Sequence, residues 1–394
     1  MNISIQAENT QSGTLTIYTY KNLMNNPYYD IAGNFSAYSG ISKDKITIVR
    51  FSDAYALMNQ LIKEKTNPKA DVVIGIDNAL ENAFNAFNAS AMFEPYTNQS
   101  VLNNLNQNLV INMGPNNNLI PYDYGVIGLN YNNSRLSSSM YPFLHNFTLN
   151  DLINSTLSSK IVIENPETST LGLGFLLWTI STYGDLSEGI FLNGFLSQNW
   201  HTFWQKLGKK FTIAPNYEDA YNIYSNSANG KLMVVSYTTT PAYDYCINHI
   251  SSSSTLITSF VNETQLNSSA WFQIEGMGIV KNSPNQFLAN KFVGWFLSKN
   301  VQNEIPTSQW LYPANTKATI PACFKQSGIP DPNKIVQLND YANPSSLKYF
   351  LSTWISQWNQ IVLSKPLPGF DFQTFVILMP IFIVLVTYRK KHVF

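Results

Sequence analysis

Between Thr14 and Phe87 three short β-branched runs alternate with stretches of helical period, and this order constrains the chain more than any other feature. Thr14–Tyr20 (TLTIYTY), Lys45–Phe51 (KITIVRF) and Ala70–Ile76 (ADVVIGI) read as strands. Asn26–Tyr38, stopped by Gly40, and Ala54–Lys65 (AYALMNQLIKEK) carry apolar residues at helical spacing, and Asp77–Phe87 opens another helix. Strands separated by helices cannot pair as hairpins, so the order β-α-β-α-β predicts an α/β domain on a parallel sheet. Ligands of such sheets sit beyond the carboxyl ends of the strands. Tyr20, Ser52, Asp53, Asp77 and Asn78 fall at those ends.

The rest of the chain supplies material for a second lobe. Tyr122–Tyr131 (YDYGVIGLNY) reads as a strand that crosses over, Lys160–Ile163 as a short strand, and Thr168–Gly174 (TSTLGLG) as a turn into a helix at Phe175–Tyr183. Such a turn aims N–H groups and hydroxyls at a ligand, but it lacks the GK[ST] element of a phosphate-binding P-loop. Helices are expected at Trp200–Leu207, Glu218–Ser225, Pro284–Lys299 and Ser345–Ser364; strands at Lys231–Tyr237 and Phe272–Val280; and a loop at Ile305–Pro313. Two lobes joined by crossing strands make a hinged cleft. The expected division is 14–125 for the first part of lobe one, 126–270 for lobe two, and 271–364 for the return to lobe one with a C-terminal helix.

Composition narrows the function. Lys plus Arg equals Asp plus Glu at 24 each, so a chain without a basic block is a poor nucleic-acid binder. Aromatic residues reach 14%, a supply of faces for flat or cationic ligands. Two cysteines (Cys246, Cys323) and four histidines form no zinc-ligand spacing, and no metal or other cofactor is expected. A single disulfide between the cysteines and two separate thiols both remain open.

At the C-terminus, Phe372–Tyr388 (FQTFVILMPIFIVLVTY) is followed by Arg389, Lys390 and Lys391. This predicts a transmembrane anchor over 368–388 with a cytoplasmic tail at 389–394 and the large domain outside. The N-terminus is polar and shows no signal-peptide core, which conflicts with an outward domain. Asn-x-Ser/Thr sequences beginning at Asn34, Asn88, Asn98, Asn132 and elsewhere fit a glycosylated cell-surface protein.

Seven motifs in order carry a family resemblance: TIYTY (Thr16–Tyr20), KADVVIGIDN (Lys69–Asn78), PYDYG (Pro121–Gly125), NPETSTLGLGFLLW (Asn165–Trp178), SYTTTPAY (Ser236–Tyr243), IPTSQWLYP (Ile305–Pro313) and WISQW (Trp354–Trp358). Over roughly Thr14–Ile361 the chain resembles the thiamine-binding periplasmic proteins of bacterial ABC importers, within the type II solute-binding fold. The resemblance implies a two-lobed α/β fold with mixed, mainly parallel sheets, here with a C-terminal transmembrane helix. It implies a monomeric receptor, not an enzyme, that closes on thiamine or a thiamine phosphate and delivers it to a permease driven by an ATPase. The anchor departs from the secreted bacterial members and suggests a surface-tethered, archaeal-type variant in the cell membrane.

The ligand would need aromatic faces for its cationic thiazolium and flat aminopyrimidine, a carboxylate against charge and amine, and hydroxyls for its tail. By resemblance Tyr20 lines the cleft, Asp53 faces the amine or cation, and Ser169 and Thr170 take the hydroxyethyl or phosphate end. Tyr237 and Tyr243 supply rings, and Trp310 closes the first-lobe wall. Tyr217 stands where the family carries a stacking Trp. Asp53 and Ser169 could equally be helix caps, Trp310 could equally be a core anchor under the hinge, and Asp123 could fix the crossover strands. Rival readings are a binding protein for ferric iron, a polyamine or a phosphorylated sugar, with Tyr28–Tyr29 as the adjacent Tyr pair iron would favour; a thiaminase-like enzyme using a Cys nucleophile; and an adhesive surface protein.

Overall fold

The computed structural model describes residues 13–363, apart from 25–28, 84–87, 137–140, 142–143, 145, 154–155, 186–198, 209 and 263–264. Fourteen strands are found among the described residues: β1 (Leu15–Tyr20), β2 (Ile46–Phe51), β3 (Val72–Asp77), β4 (Phe93–Glu94), β5 (Ile120–Asn132), β6 (Ile161–Glu164), β7 (Thr212–Ala214), β8 (Met233–Tyr237), β9 (Ser253–Leu256), β10 (Thr258–Asn262), β11 (Gln265–Ala270), β12 (Phe272–Val280), β13 (Tyr312–Pro313) and β14 (Val336–Gln337). The main sheet runs β2-β1-β3-β12-β5-β8-β6-β7, and β10-β11-β14 form a small second sheet.

The flanks of the main sheet are parallel, as helical connections demand: β1 pairs with β2 and β3, and β6 with β7 and β8. The centre is antiparallel, because β12 runs against both β3 and β5, and β5 against β8. Antiparallel pairing is therefore more extensive than a mainly parallel sheet would have, since the chain crosses between the halves on two opposed strands. The first half of β5 pairs with β12 and β13; its second half pairs with β8 and β9. Two large apolar cores result, one around β1, β3, β12 and Ile120–Val126, the other around Ile127 and Leu129 and the helix Thr170–Tyr183, with a small third cluster of Val162, Ala214, Ala220, Tyr224 and Val234. This two-lobed arrangement is the periplasmic-binding-protein fold the motifs imply.

Local chemistry explains the element boundaries. Asp30, Asp53, Ser169 and Asn343 cap the helices Ile31–Ser39, Ala54–Glu64, Thr170–Tyr183 and Pro344–Val362, each side chain accepting a backbone N–H of the first turn. The second-lobe helix begins at Thr170 rather than Phe175, so most of the expected turn is helical. Gly172 lies so close to β6 that a Cβ there would meet the Glu164 carbonyl oxygen at 2.5 Å, so the glycine serves tight packing. The helix is buried on nearly every side, which suits its apolar composition. The segment expected as a loop at Ile305–Pro313 contains a short helix, Ile305–Ser308, and β13.

The last helix, Pro344–Val362, buries Leu347, Leu351, Trp354, Trp358 and Val362 at steps of three and four residues, all in the second core. Trp354 and Trp200 both donate their indole N–H to Asp185 Oδ2, at 2.8 and 3.1 Å. Cys246, on the helix Thr240–Asn248, and Cys323, on the helix Ala322–Gln326, form a disulfide with Cα atoms 5.6 Å apart. This resolves the alternative the sequence leaves open.

The expected transmembrane helix is a correction. Among the described residues no helix is long and apolar enough to cross a membrane, and 368–388 lies outside the described residues. The Asn-x-Ser sequences also have a local use. Asn88 and Asn98 cap short helices, and the Ser two residues on donates to the same Asn oxygen, as Ser134 does to Asn132.

Candidate functional site

A cavity of about 980 Å³ lies between the lobes, at the carboxyl ends of β1, β2 and β3 on one side. All eight residues expected at the site, Tyr20, Asp53, Ser169, Thr170, Tyr217, Tyr237, Tyr243 and Trp310, line it. They come from segments spread over nearly the whole chain, so only the completed fold assembles them. At the mouth, the Tyr55 hydroxyl of the first lobe donates to the Pro166 carbonyl of the second at 3.0 Å.

The floor is a hydrogen-bonded array on the crossing strands. Tyr20 donates to Glu275 Oε2 at 2.8 Å and accepts from Gln309 Nε2 at 2.6 Å. Tyr122 also donates to Glu275 Oε2. Tyr237 donates to Gln273 Oε1 at 3.0 Å, while Gln273 Nε2 donates to Asp77 Oδ2 and Thr170 Oγ1, both at 2.9 Å. Two glycines admit the rings. A Cβ at Gly75, whose φ is +105°, would sit 2.3 Å from the Tyr20 ring, and one at Gly125 would sit 2.3 Å from the Tyr237 ring.

The walls are aromatic. Tyr243 and Trp310 meet edge to face, with centroids 5.0 Å apart, and Trp310 stacks on Phe324 at 5.9 Å. Trp310 holds φ at +58°, an uncommon conformation for a bulky residue that costs about 1 kcal/mol or more. Its stacking on Phe324 and contact with Tyr243 hold it there. Tyr217 opens its helix, lines the cavity, is 41% exposed as a residue, and stacks on Tyr221.

The choice between cap and cavity wall proves not to be exclusive. Asp53 Oδ1 accepts from the Ala56 N–H at 2.8 Å, while Oδ2 takes the Ser52 hydroxyl at 2.8 Å, and both residues line the cavity. Ser169 caps its helix through the Gly172 N–H, donates its own hydrogen to Glu164 Oε2, and also lines the cavity.

The cavity lining holds more acids than bases, and burial moves several acids toward the protonated form. Asp77, Glu275 and Asp123 stand side by side on β3, β12 and β5, and all three are buried. Burial pushes the Asp77 carboxyl up to about 7. Burial and the neighbouring Glu275 raise Asp123, whose oxygens have no hydrogen-bond partner among the described residues. Burial also raises Glu275, against the pull of the two Tyr hydroxyls. Of the residues lining the cavity, Asp53, Asp77, Glu218 and Glu275 carry carboxyls and Lys21 alone carries an ammonium. A flat organic cation with donor groups suits such aromatic walls.

Sequence reasoning passed over Glu275, Gln273 and Gln309. The available signal was an acid inside an otherwise apolar strand, FQIEGMGIV, where an unsatisfied carboxylate would be costly. Asp123 lies on a crossing strand and is absent from the cavity lining, and its carboxyl makes no hydrogen bond among the described residues that would fix the crossover. Of the Tyr28–Tyr29 pair, Tyr28 lies outside the described residues, and Tyr29 packs against the first core. Both cysteines are bonded to each other, so neither supplies the thiolate a thiaminase-like reaction needs.

Comparison with known proteins supports the two-lobed fold. The sequence profile of the bacterial extracellular solute-binding protein family matches residues 67–234. A thiamine-binding periplasmic protein of Brucella suis is 28% identical over 351 residues, covering 87% of this chain and 91% of the relative. Its counterpart in Escherichia coli is 29% identical over 321 residues, covering 81% and 84%. A solved structure titled periplasmic thiamin binding protein superposes with a TM-score of 0.67 at 28% identity, covering 89% of this chain and 96% of that one. The resemblance carried by the seven motifs therefore holds over most of the chain, and these relatives are named as binding proteins rather than enzymes. They are also named as periplasmic, and no described helix can cross a membrane. The expected single-pass, glycosylated cell-membrane protein, with the membrane as a partner, is therefore set aside.

Proposed function

We propose that this chain is the extracytoplasmic solute-binding receptor of an ABC importer, taking thiamine in the interlobe cavity and passing it to a permease served by an ATPase. The observation that carries the reading is a cavity with aromatic faces from both lobes and an excess of carboxyls. The similarity to thiamine-binding proteins supports the choice of cation.

In this reading the rings of Tyr243, Tyr217 and Trp310 hold the thiazolium and the pyrimidine, each face-on cation contact contributing about 0.5–2 kcal/mol. Asp53 accepts from the exocyclic amine. Asp77 and Glu275, whose carboxyls burial holds toward the protonated form, line the floor as hydrogen-bonding groups, and Ser169 and Thr170 meet the tail. Tyr at position 217 gives a weaker cation–π face than the Trp of the resembling family. The lobes divide at 14–125, 126–270 and 271–364, and the receptor works as a monomer. Ligand contacts to both lobes bias an open–closed equilibrium toward closure, and no bond of the ligand is broken.

Titration calorimetry with thiamine, with its phosphates and spermidine as comparators, tests the proposal. One-to-one binding of thiamine is expected. Tyr243→Ala should weaken it about 2- to 30-fold, the equivalent of one cation–π contact, and Asp53→Ala should weaken it as well. Absence of heat with every thiamine species, or tighter binding of spermidine, would refute it.

A further inference from the structure

We propose that Glu164, standing behind Ser169, decides whether the tail of the ligand is an alcohol or a phosphate ester, admitting the ester only when its own carboxyl carries a proton. The inference rests on the thiamine reading of the cavity and adds to it the ligand's phosphorylation state.

Glu164 ends β6 and is fully buried. Its Oε2 accepts the Ser169 hydroxyl hydrogen, and its Oε1 has no hydrogen-bond partner among the described residues. Ser169 is the group between this carboxyl and the cavity. The titratable groups facing Glu164 are Tyr217, from the helix Tyr217–Ser225, and Tyr237, from β8. The neighbouring strand β7 brings none, the helix Thr170–Tyr183 brings its cap Ser169, and among the described residues no cation compensates the carboxyl.

A hydroxyl has one hydrogen and two lone pairs. While Glu164 is ionised, it takes the hydrogen of Ser169, which can then only accept. A ligand alcohol can donate to that oxygen. A phosphate dianion cannot, and it would bring two further negative charges to within one side chain of a buried carboxylate. Once Glu164 is protonated the bond reverses. The carboxyl donates to Ser169, Ser169 donates to the ester, and the N-terminus of the helix Thr170–Tyr183 adds its favourable field. Burial pushes the Glu164 carboxyl up to about 8, so both states are populated near neutral pH.

The test measures the dissociation constants of thiamine and thiamine monophosphate by titration calorimetry at pH 7.0 and 8.5, for the full chain and for Glu164→Gln. Between these values the protonated fraction of a group titrating near 8 falls about fourfold, and affinity for the ester falls in proportion. The ratio of ester to thiamine dissociation constants should therefore rise at least about fourfold in the unaltered chain. In Glu164→Gln, whose amide donates to Ser169 at every pH, the ratio should stay level. In buffers of different ionisation enthalpy, the ester should bind with net proton uptake at pH 8.5, a readout that needs no variant. Thiamine binding with a level ratio in the unaltered chain, or a pH-dependent ratio that survives in Glu164→Gln, would overturn the role of Glu164 and leave the thiamine reading standing. Failure of both compounds to bind would overturn the thiamine reading and this inference with it.

Discussion

Replacing Cys246 and Cys323 together by Ser removes the cross-link between the helices Thr240–Asn248 and Ala322–Gln326. The bond spans 77 positions of sequence. If it acts by restricting the unfolded chain, a loop of that length is worth about 15 cal/mol/K, or about 4.5 kcal/mol at room temperature. The Cα separation of 5.6 Å is ordinary for a disulfide, so the folded backbone need not shift to accommodate the change. Urea unfolding followed by tryptophan fluorescence is the assay, since Trp178, Trp200, Trp204, Trp271, Trp354 and Trp358 are all buried. At a slope of about 3 kcal/mol/M the midpoint should drop by about 1.5 M. The slope should also steepen, because the released chain exposes more surface when it unfolds. An unchanged midpoint would refute the reasoning. A lower midpoint with an unchanged slope would also refute it, by placing the effect in the folded protein.

Two further predictions concern the floor of the cavity. Burial raises the carboxyls of Asp77, to about 7, and of Glu81 and Glu164, to about 8, with Asp123 and Glu275 raised as well. The folded chain thus holds protons that the unfolded chain releases near pH 4, so stability should fall as pH rises from about 4 to about 8. Asp123→Asn should flatten that fall and raise the melting temperature at pH 8; melting curves across this range that leave the two proteins parallel would contradict it. Gly75→Ala sets a Cβ against the Tyr20 ring at a φ of +105° and should cost more than about 1 kcal/mol of stability. It should also weaken thiamine binding by displacing Tyr20; an unaltered melting temperature with unaltered affinity would show that the close approach is not needed.

Much of the fold could be read in advance because its signals are local. Thr14–Tyr20 and Lys45–Phe51 announce strands by composition, and the topology then puts Tyr20 and Asp53 at one edge of the cleft. Gly172 and Gly174 misled the reading of one helix start, because glycine read as a turn is here a device for close helix–strand packing. Glu275 was out of reach for a different reason. It meets Tyr20 across 255 positions of sequence, and only the register of β3, β12 and β5 brings Asp77, Glu275 and Asp123 abreast. The cysteine pairing is equally non-local. Glu164 reads as the end of a short strand until its bond to Ser169 is seen.

The path of the chain between the two cores has a consequence for how the protein is made. It leaves the first core along β5, returns along β12, and passes back after Ile335 so that Leu338 and the helix Pro344–Val362 can join the second core. Each core is thus closed by a segment synthesised long after its first strands. Trp204 is covered in part by Trp358, which follows it by about 150 residues. At about 5–20 residues per second, the aromatic face of the nascent second lobe stays uncovered for roughly 8–30 s. That interval belongs to whatever holds nascent chains. The second lobe cannot finish folding until this last helix is complete.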